Sequence, residues 1–208
     1  TFGRSVELIN HPATRTEIPI ASKTSMGLAL RRIGQQMNRE SDVLFLYMTS
    51  HGLPNVFEME NAPLDLAQVD PKWLRETLDA SGIRWRVIVI SSCYSGSFVP
   101  ALQDENTLII TASAADRQSF GCSSESDYTY FGRAFFDQAM REQNSIQGAF
   151  NQAKETVAKW ENAQGFEPSE PQWSIGKNMQ FMLPQLEQRL FPPVTTAPAQ
   201  QEQIEAKL

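Results

Sequence analysis

Residues 87–98 read VIVISSCYSGSF. Four β-branched apolar residues, Val87 to Ile90, give way at once to small polar ones with Cys93 among them. A continuous apolar run predicts a strand buried on both faces, as in a parallel sheet covered by helices. Two further runs, VLFLYM at 43–48 and LII at 108–110, read the same way, and SVELI at 5–9 is a weaker fourth.

The segments between these runs predict the covering helices. Met26, Leu30, Ile33 and Met37 step by four, three and four, one apolar helix face. DPKWLRETLDASG, residues 70–82, opens with Asp70 as N-cap and Pro71 at the first helical position, and closes on Gly82. Phe131, Phe135 and Ala139 mark a third helix. Ile146, Phe150, Ala153, Val157 and Trp160 mark a fourth, opened by Ser145 and stopped near Gly165. WSIGKNMQFML, residues 173–183, predicts a last short strand. Strand and helix alternate, so the expected fold is an α/β domain with a mainly parallel sheet and helices on both faces. The domain is expected over residues 1–183. The Pro- and Gln-rich stretch 184–208 reads as a tail or linker with too little apolar surface to offset its ordering entropy.

Composition narrows the function. The chain has 208 residues, a formal net charge of −6 and no block of Lys or Arg, which argues against a nucleic-acid partner or an anionic membrane surface. Two cysteines make no disulfide framework, and no apolar run reaches the roughly 18 residues that span a bilayer. Thr1 in place of Met, with no signal peptide, suggests a fragment or processed form. Its compartment is not legible, and membrane attachment through a segment outside the chain stays open.

Ligands of open α/β sheets bind beyond the carboxyl ends of the strands. His51 lies three residues after Met48, and Cys93 three residues after Ile90. On neighbouring strands, about 4.8 Å apart, both side chains leave the sheet on one rim, the arrangement of a Cys–His nucleophilic enzyme. Gly52 and Gly96 leave room for a substrate backbone and for N–H groups that face an oxyanion. The serines at 91, 92, 95 and 97 suggest an accessible polar setting in which a thiolate can form. Each residue alone has a plainer reading: Cys93 as a small buried side chain, His51 as a hydrogen-bonded loop residue. Ser92 or Ser95 as nucleophile does not fit the G-x-S-x-G elbow, and no set of metal ligands has usual spacing. Cys122 reads as an inert thiol, with a bridge to Cys93 as a lesser option, and His11 as a surface residue.

YMTSHG at 47–52 followed by ISSCYSGSF at 90–98 resembles the caspase-like cysteine peptidases, whose His–Cys interval is about 50 residues. The chain is most similar to the legumain-type peptidases, a group that includes the GPI-anchor transamidase catalytic subunit, and within them to the bacterial branch. The similarity continues through LIITASAADRQSFGC at 108–122 and YFGRAFF at 130–136, covering about 5–184. It implies a caspase-like three-layer sandwich, Cys93 as nucleophile, His51 as general base, and the Gly52 and Cys93 N–H groups as oxyanion hole. It implies no cofactor, and protein or peptide substrates.

The chain departs from legumains in three ways. The family carries one more amino-terminal strand, whose loop helps to orient the histidine and build S1; nothing precedes TFGRSVELIN here, so those parts are expected to be missing or outside the chain. Ser91 stands where legumains have an acid two residues before the cysteine, and Arg133 where they have an acid after the glycine matching Gly132. Strict Asn specificity is therefore not expected. Arg133 either points into or near S1 and favours an acidic or otherwise different P1 residue, or is simply solvated, and Ser119 is a candidate for lining S1. Three functions follow: a cysteine endopeptidase, a transamidase or ligase using the same pair, and a non-catalytic binding domain that keeps the fold.

Overall fold

Three of the four apolar runs form strands of one sheet. The computed structural model describes residues 5–14, 16–121 and 128–191. In chain order the helices and strands are α1 (Lys23–Gln36), β1 (Val43–Thr49), β2 (Gly52–Leu53), β3 (Val56–Phe57), α2 (Pro71–Ala80) and β4 (Trp85–Ser91). Then come α3 (Val99–Leu102), β5 (Thr107–Thr111), α4 (Tyr130–Gly132), α5 (Met140–Glu142), α6 (Ile146–Gln164), β6 (Gln172–Ile175) and α7 (Met179–Leu190). A 3-10 turn, Ser95–Phe98, precedes α3, and a π-helical stretch, Arg133–Ala139, joins α4 to α5.

The main sheet has the order β1-β4-β5-β6, with β1, β4 and β5 parallel and β6 antiparallel to β5. β4 is buried along its whole length, which is why its apolar run is continuous rather than alternating. Val87, Val89, Leu108 and Ile110 face a core built with Phe131, Phe135, Phe150 and Val157. Leu44, Met48, Ile88, Ile90 and Ile109 face the opposite core, with Met26, Leu30, Leu74 and Leu78. Helices therefore cover both faces.

The caps match their sequence signals. Ser22, Asp70 and Ser145 each accept a backbone N–H in the first turn of α1, α2 and α6. The Trp73 N–H and then Lys23, 2.9 Å away, hold the Asp70 carboxyl below its ordinary pKa range. Gly82 and Gly165 take left-handed φ values of 73° and 70° just past α2 and α6.

Two expectations need correction. SVELI at 5–9 forms no strand; Val6 is exposed, and the segment is tied instead by reciprocal bonds between the Asn10 amide and the Ala21 backbone, both 2.8 Å. The boundary at residue 184 falls inside α7, which runs through Pro184 to Leu190. A proline inside a helix costs about 3 kcal/mol, but Met182 and Leu183 are buried, and Leu186 and Leu190 pack on the same core. Glu187 Oε1 also accepts the Ile146 N–H at 2.7 Å, pinning α7 to the start of α6. Residues 192–208 of the expected tail lie outside the described residues.

Arg86, on β4, is nearly buried and closes the end of the sheet opposite Cys93. Its guanidinium donates to Ile83 O (2.9 Å), Leu78 O (3.1 Å) and Asp79 Oδ1 (3.0 Å). Burial raises the Asp79 carboxyl pKa, but the bonds from Arg75 and Arg86 outweigh it and hold the group below its ordinary range. Arg86→Ala leaves the two carbonyls without this donor, and is expected to lower the unfolding free energy by about 3 kcal/mol, read as a lower urea midpoint at unchanged slope.

Candidate active site

The site begins with register. β1 and β4 pair in parallel from Val43↔Trp85 to Thr49↔Ser91, a constant offset of 42 residues. His51 and Cys93 differ by the same 42, and Ser50 N–H still donates to Ser91 O at 3.3 Å, so the two residues leave adjacent strands level with each other. Gly52 then enters the β2–β3 hairpin. A Cβ at Gly52 would stand 2.6 Å from Cys93 O and 3.0 Å from Ser92 Oγ, so this backbone contact exists only with glycine. His51 is exposed, and its carbonyl accepts the Glu58 N–H at 3.0 Å.

Cys93 sits on a sharp turn. Tyr94 takes φ 55°, ψ 20°, the left-handed region that costs a non-glycine residue about 1–2 kcal/mol. The turn is held by Tyr94 N–H to Arg117 O (2.8 Å) and Gly96 N–H to Ser113 O (2.9 Å). Half-buried Sγ lies 3.3 Å from both the N–H and the carbonyl of Ser119, which offers it one donor and one acceptor.

The serines are not the open polar setting expected from sequence. Ser91, Ser92 and Ser95 are buried. Ser95 Oγ and Ser113 Oγ lie 3.1 Å apart, and Ser113 Oγ donates to Ser92 O at 3.1 Å, so these hydroxyls satisfy the backbone of the turn. Gly96 is also reassigned. A Cβ there would meet Ala115 N at 2.6 Å, and its own N–H is already bonded, so its small size serves packing within the turn rather than a substrate.

Ser119 and Cys93 come together; Ser91, two residues before Cys93, turns to Thr129 instead, and Arg133 joins neither. Ser91 Oγ is 2.9 Å from Thr129 Oγ1, and Thr129 caps α4 by accepting the Gly132 N–H. The Tyr47 hydroxyl lies beside this group, 3.4 Å from where a Cβ would stand at Gly132. Burial raises the Tyr47 pKa further above its ordinary value than its bonds to Thr49 and Ser91 lower it, so the phenol is neutral. Arg133 is exposed, its guanidinium 6.0 Å from the centre of the Trp160 ring. That position favours the solvated reading of Arg133 over the P1-reading one. Cys122 lies outside the described residues.

Sequence reasoning missed Tyr47, Thr129 and the backbone role of Ser119. Tyr47 looked like one more apolar strand residue, and only the π-helical stretch, which brings Phe136 to within 4.7 Å of its ring, shows why it turns toward Gly132. Among the described residues no group of three or more His, Cys, Asp and Glu side chains could hold a metal ion, and no helix is long and apolar enough to cross a membrane.

Comparison with known proteins agrees with this architecture. The model of the Peptidase C13 family matches residues 30–182. Legumain from Canavalia ensiformis is 35% identical over 82 residues, 38% of this chain and 17% of that enzyme. A vacuolar-processing enzyme from Ricinus communis is 33% identical over 86 residues, 40% of this chain and 17% of its own length. These matches thus span about a sixth of the plant enzymes. Caspase-1 from Spodoptera frugiperda superposes with a TM-score of 0.55 at 13% identity, covering 76% of this chain and 69% of that one. The fold is the expected caspase-like α/β sandwich.

Proposed function

This chain belongs to the Peptidase C13 family, and on that premise we propose that it is a cysteine endopeptidase acting through Cys93 and His51. The observation that carries the reading is the shared 42-residue offset, with Gly52 packed on the Cys93 carbonyl. A place in its bacterial branch belongs to the same proposal and rests on the resemblance of the segments around His51 and Cys93.

The chemistry follows from the placement. The Cys93 thiolate attacks the scissile carbonyl carbon, forming a C–S bond as the carbonyl π pair moves to oxygen. The N–H groups of Gly52 and Cys93 receive that oxyanion, each worth about 3 kcal/mol in the transition state. His51, having taken the thiol proton, returns it to the leaving amine as the C–N bond breaks. A thioester remains. His51 next takes a proton from water, the hydroxide adds to the acyl carbon, and collapse releases the acid and the thiol.

We read the group of neutral hydroxyls formed by Ser91, Thr129 and Tyr47, which begins two residues before Cys93, as the S1 lining. We therefore assign it an uncharged P1 side chain. A fluorogenic peptide panel is expected to favour uncharged P1 residues over Asp, and Arg133→Ala to leave that preference unchanged within about twofold, the usual scale for a solvated charge. A preference for Asp that disappears in Arg133→Ala would restore a P1 role for the arginine.

The same pair could pass its acyl group to an amine rather than water. Product analysis with and without added hydroxylamine separates the two, the endopeptidase reading predicting free acid as the main product formed without the amine.

A further inference from the structure

Among the described residues the most buried carboxylate outside the site is Glu161, in the last turns of α6 and 1% exposed. Its Oε2 accepts the Ser169 N–H at 3.0 Å. Among the described residues neither its Oε1 nor Ser169 Oγ has a hydrogen-bond partner. Removing a carboxylate from water for a single backbone bond is unfavourable in itself, so its place calls for an explanation beyond packing.

The loop it grips, residues 165–171, supplies one. Ser169 O accepts the Ala114 N–H at 2.8 Å. Phe166 stacks on Phe120, centroids 4.3 Å apart and rings 11° from parallel. Glu167 pairs with Arg117 at 3.2 Å. These contacts all reach residues 114–120, whose Arg117 carbonyl holds the Tyr94 N–H and whose Ser119 cradles Cys93 Sγ. Loop 165–171 is itself fixed at its start, where Gly165 turns left-handed and Phe166 N–H returns to Glu161 O at 2.9 Å.

We propose that Glu161 is a positioning residue, which acts through Ser169 and Phe166 to hold Ser119 against the Cys93 sulfur. The proposal rests on Cys93 as the nucleophile. It adds that the thiol's reactivity is set from α6, on the far side of two loops. A merely structural Glu161 would support the α6 end and leave the sulfur's surroundings unchanged.

The test is the pH profile of Cys93 alkylation by iodoacetamide, resolved from Cys122 by mass spectrometry of the digested chain. Glu161→Leu is expected to move the midpoint by about half a pH unit or more, because the sulfur loses a fixed donor and acceptor. Phe166→Ala, at a side chain 40% exposed, is expected to move it in the same direction. Glu161→Gln keeps a carbonyl oxygen for the Ser169 N–H and is expected to restore the parent profile. A folded Glu161→Leu with the parent midpoint overturns the proposal. If Glu161→Leu does not fold, a parent midpoint in Phe166→Ala overturns it alone. Alkylation reads the thiol whether or not peptides are cleaved, so a parent that hydrolyses nothing would defeat the function above without touching this result.

Discussion

Cys93→Ala is expected to lower kcat for peptide hydrolysis by about 10⁴-fold or more, and His51→Ala by about 10² to 10⁴-fold. Neither side chain carries the sheet. His51 is exposed on the rim, and Cys93 lies beyond the end of β4, so both variants should unfold near the parent temperature. The double variant should be no slower than Cys93→Ala, because a base has nothing to activate once the thiol is gone. Stopped assays on the three variants, with unfolding measured in parallel, read this. Independent, multiplying losses would mean that the two residues act in separate steps.

Gly52→Ala carries the second large effect. The new methyl would lie 2.6 Å from Cys93 O, 3.0 Å from Ser92 Oγ and 3.1 Å from Ser92 Cβ, with backbone as the closest obstacle. The β2–β3 hairpin must move outward, carrying His51 from the thiol and one proposed oxyanion donor from its place. Misplacement on the scale of an ångström costs about 10²-fold in rate, so kcat is expected to fall by about that factor. Gly82→Ala is the control: its φ of 73° strains an alanine, but a Cβ there meets nothing within 4 Å. It should lower stability by about 1 kcal/mol without changing kcat. Equal kinetics in the two variants would mean that the Gly52 contact does not position the site.

Much of this site could be read before the structure. The strand at 87–90 is apolar throughout because both its faces are buried, while the edge strand at 43–48 buries Leu44 and Met48 and leaves Tyr47 exposed; the two runs located the rim on which His51 and Cys93 stand. The equal three-residue offsets put them level, and the register pairs the strands that lead to them up to Thr49 and Ser91, two residues before each. What stayed hidden depends on contacts distant in sequence. Ser91 meets Thr129 across 38 positions, and Sγ meets Ser119 across 26, with no periodic pattern to announce either. The serines misled because Ser and Thr hydroxyls serve a buried turn as readily as a wet surface. The carboxyl end misled for the opposite reason: Pro184 and its polar neighbours masked the stripe of Leu183, Leu186 and Leu190 that seats α7.

Cys93 is proposed as a nucleophile made reactive by His51. That role is tested most directly by treating the chain with a peptide bearing an electrophilic carbonyl-derived warhead and locating the adduct by mass spectrometry. One adduct is expected, on Cys93, strongly reduced in His51→Ala and absent from Cys93→Ala. An adduct on Cys122 instead, or labelling of Cys93 at the same rate in His51→Ala, would contradict it.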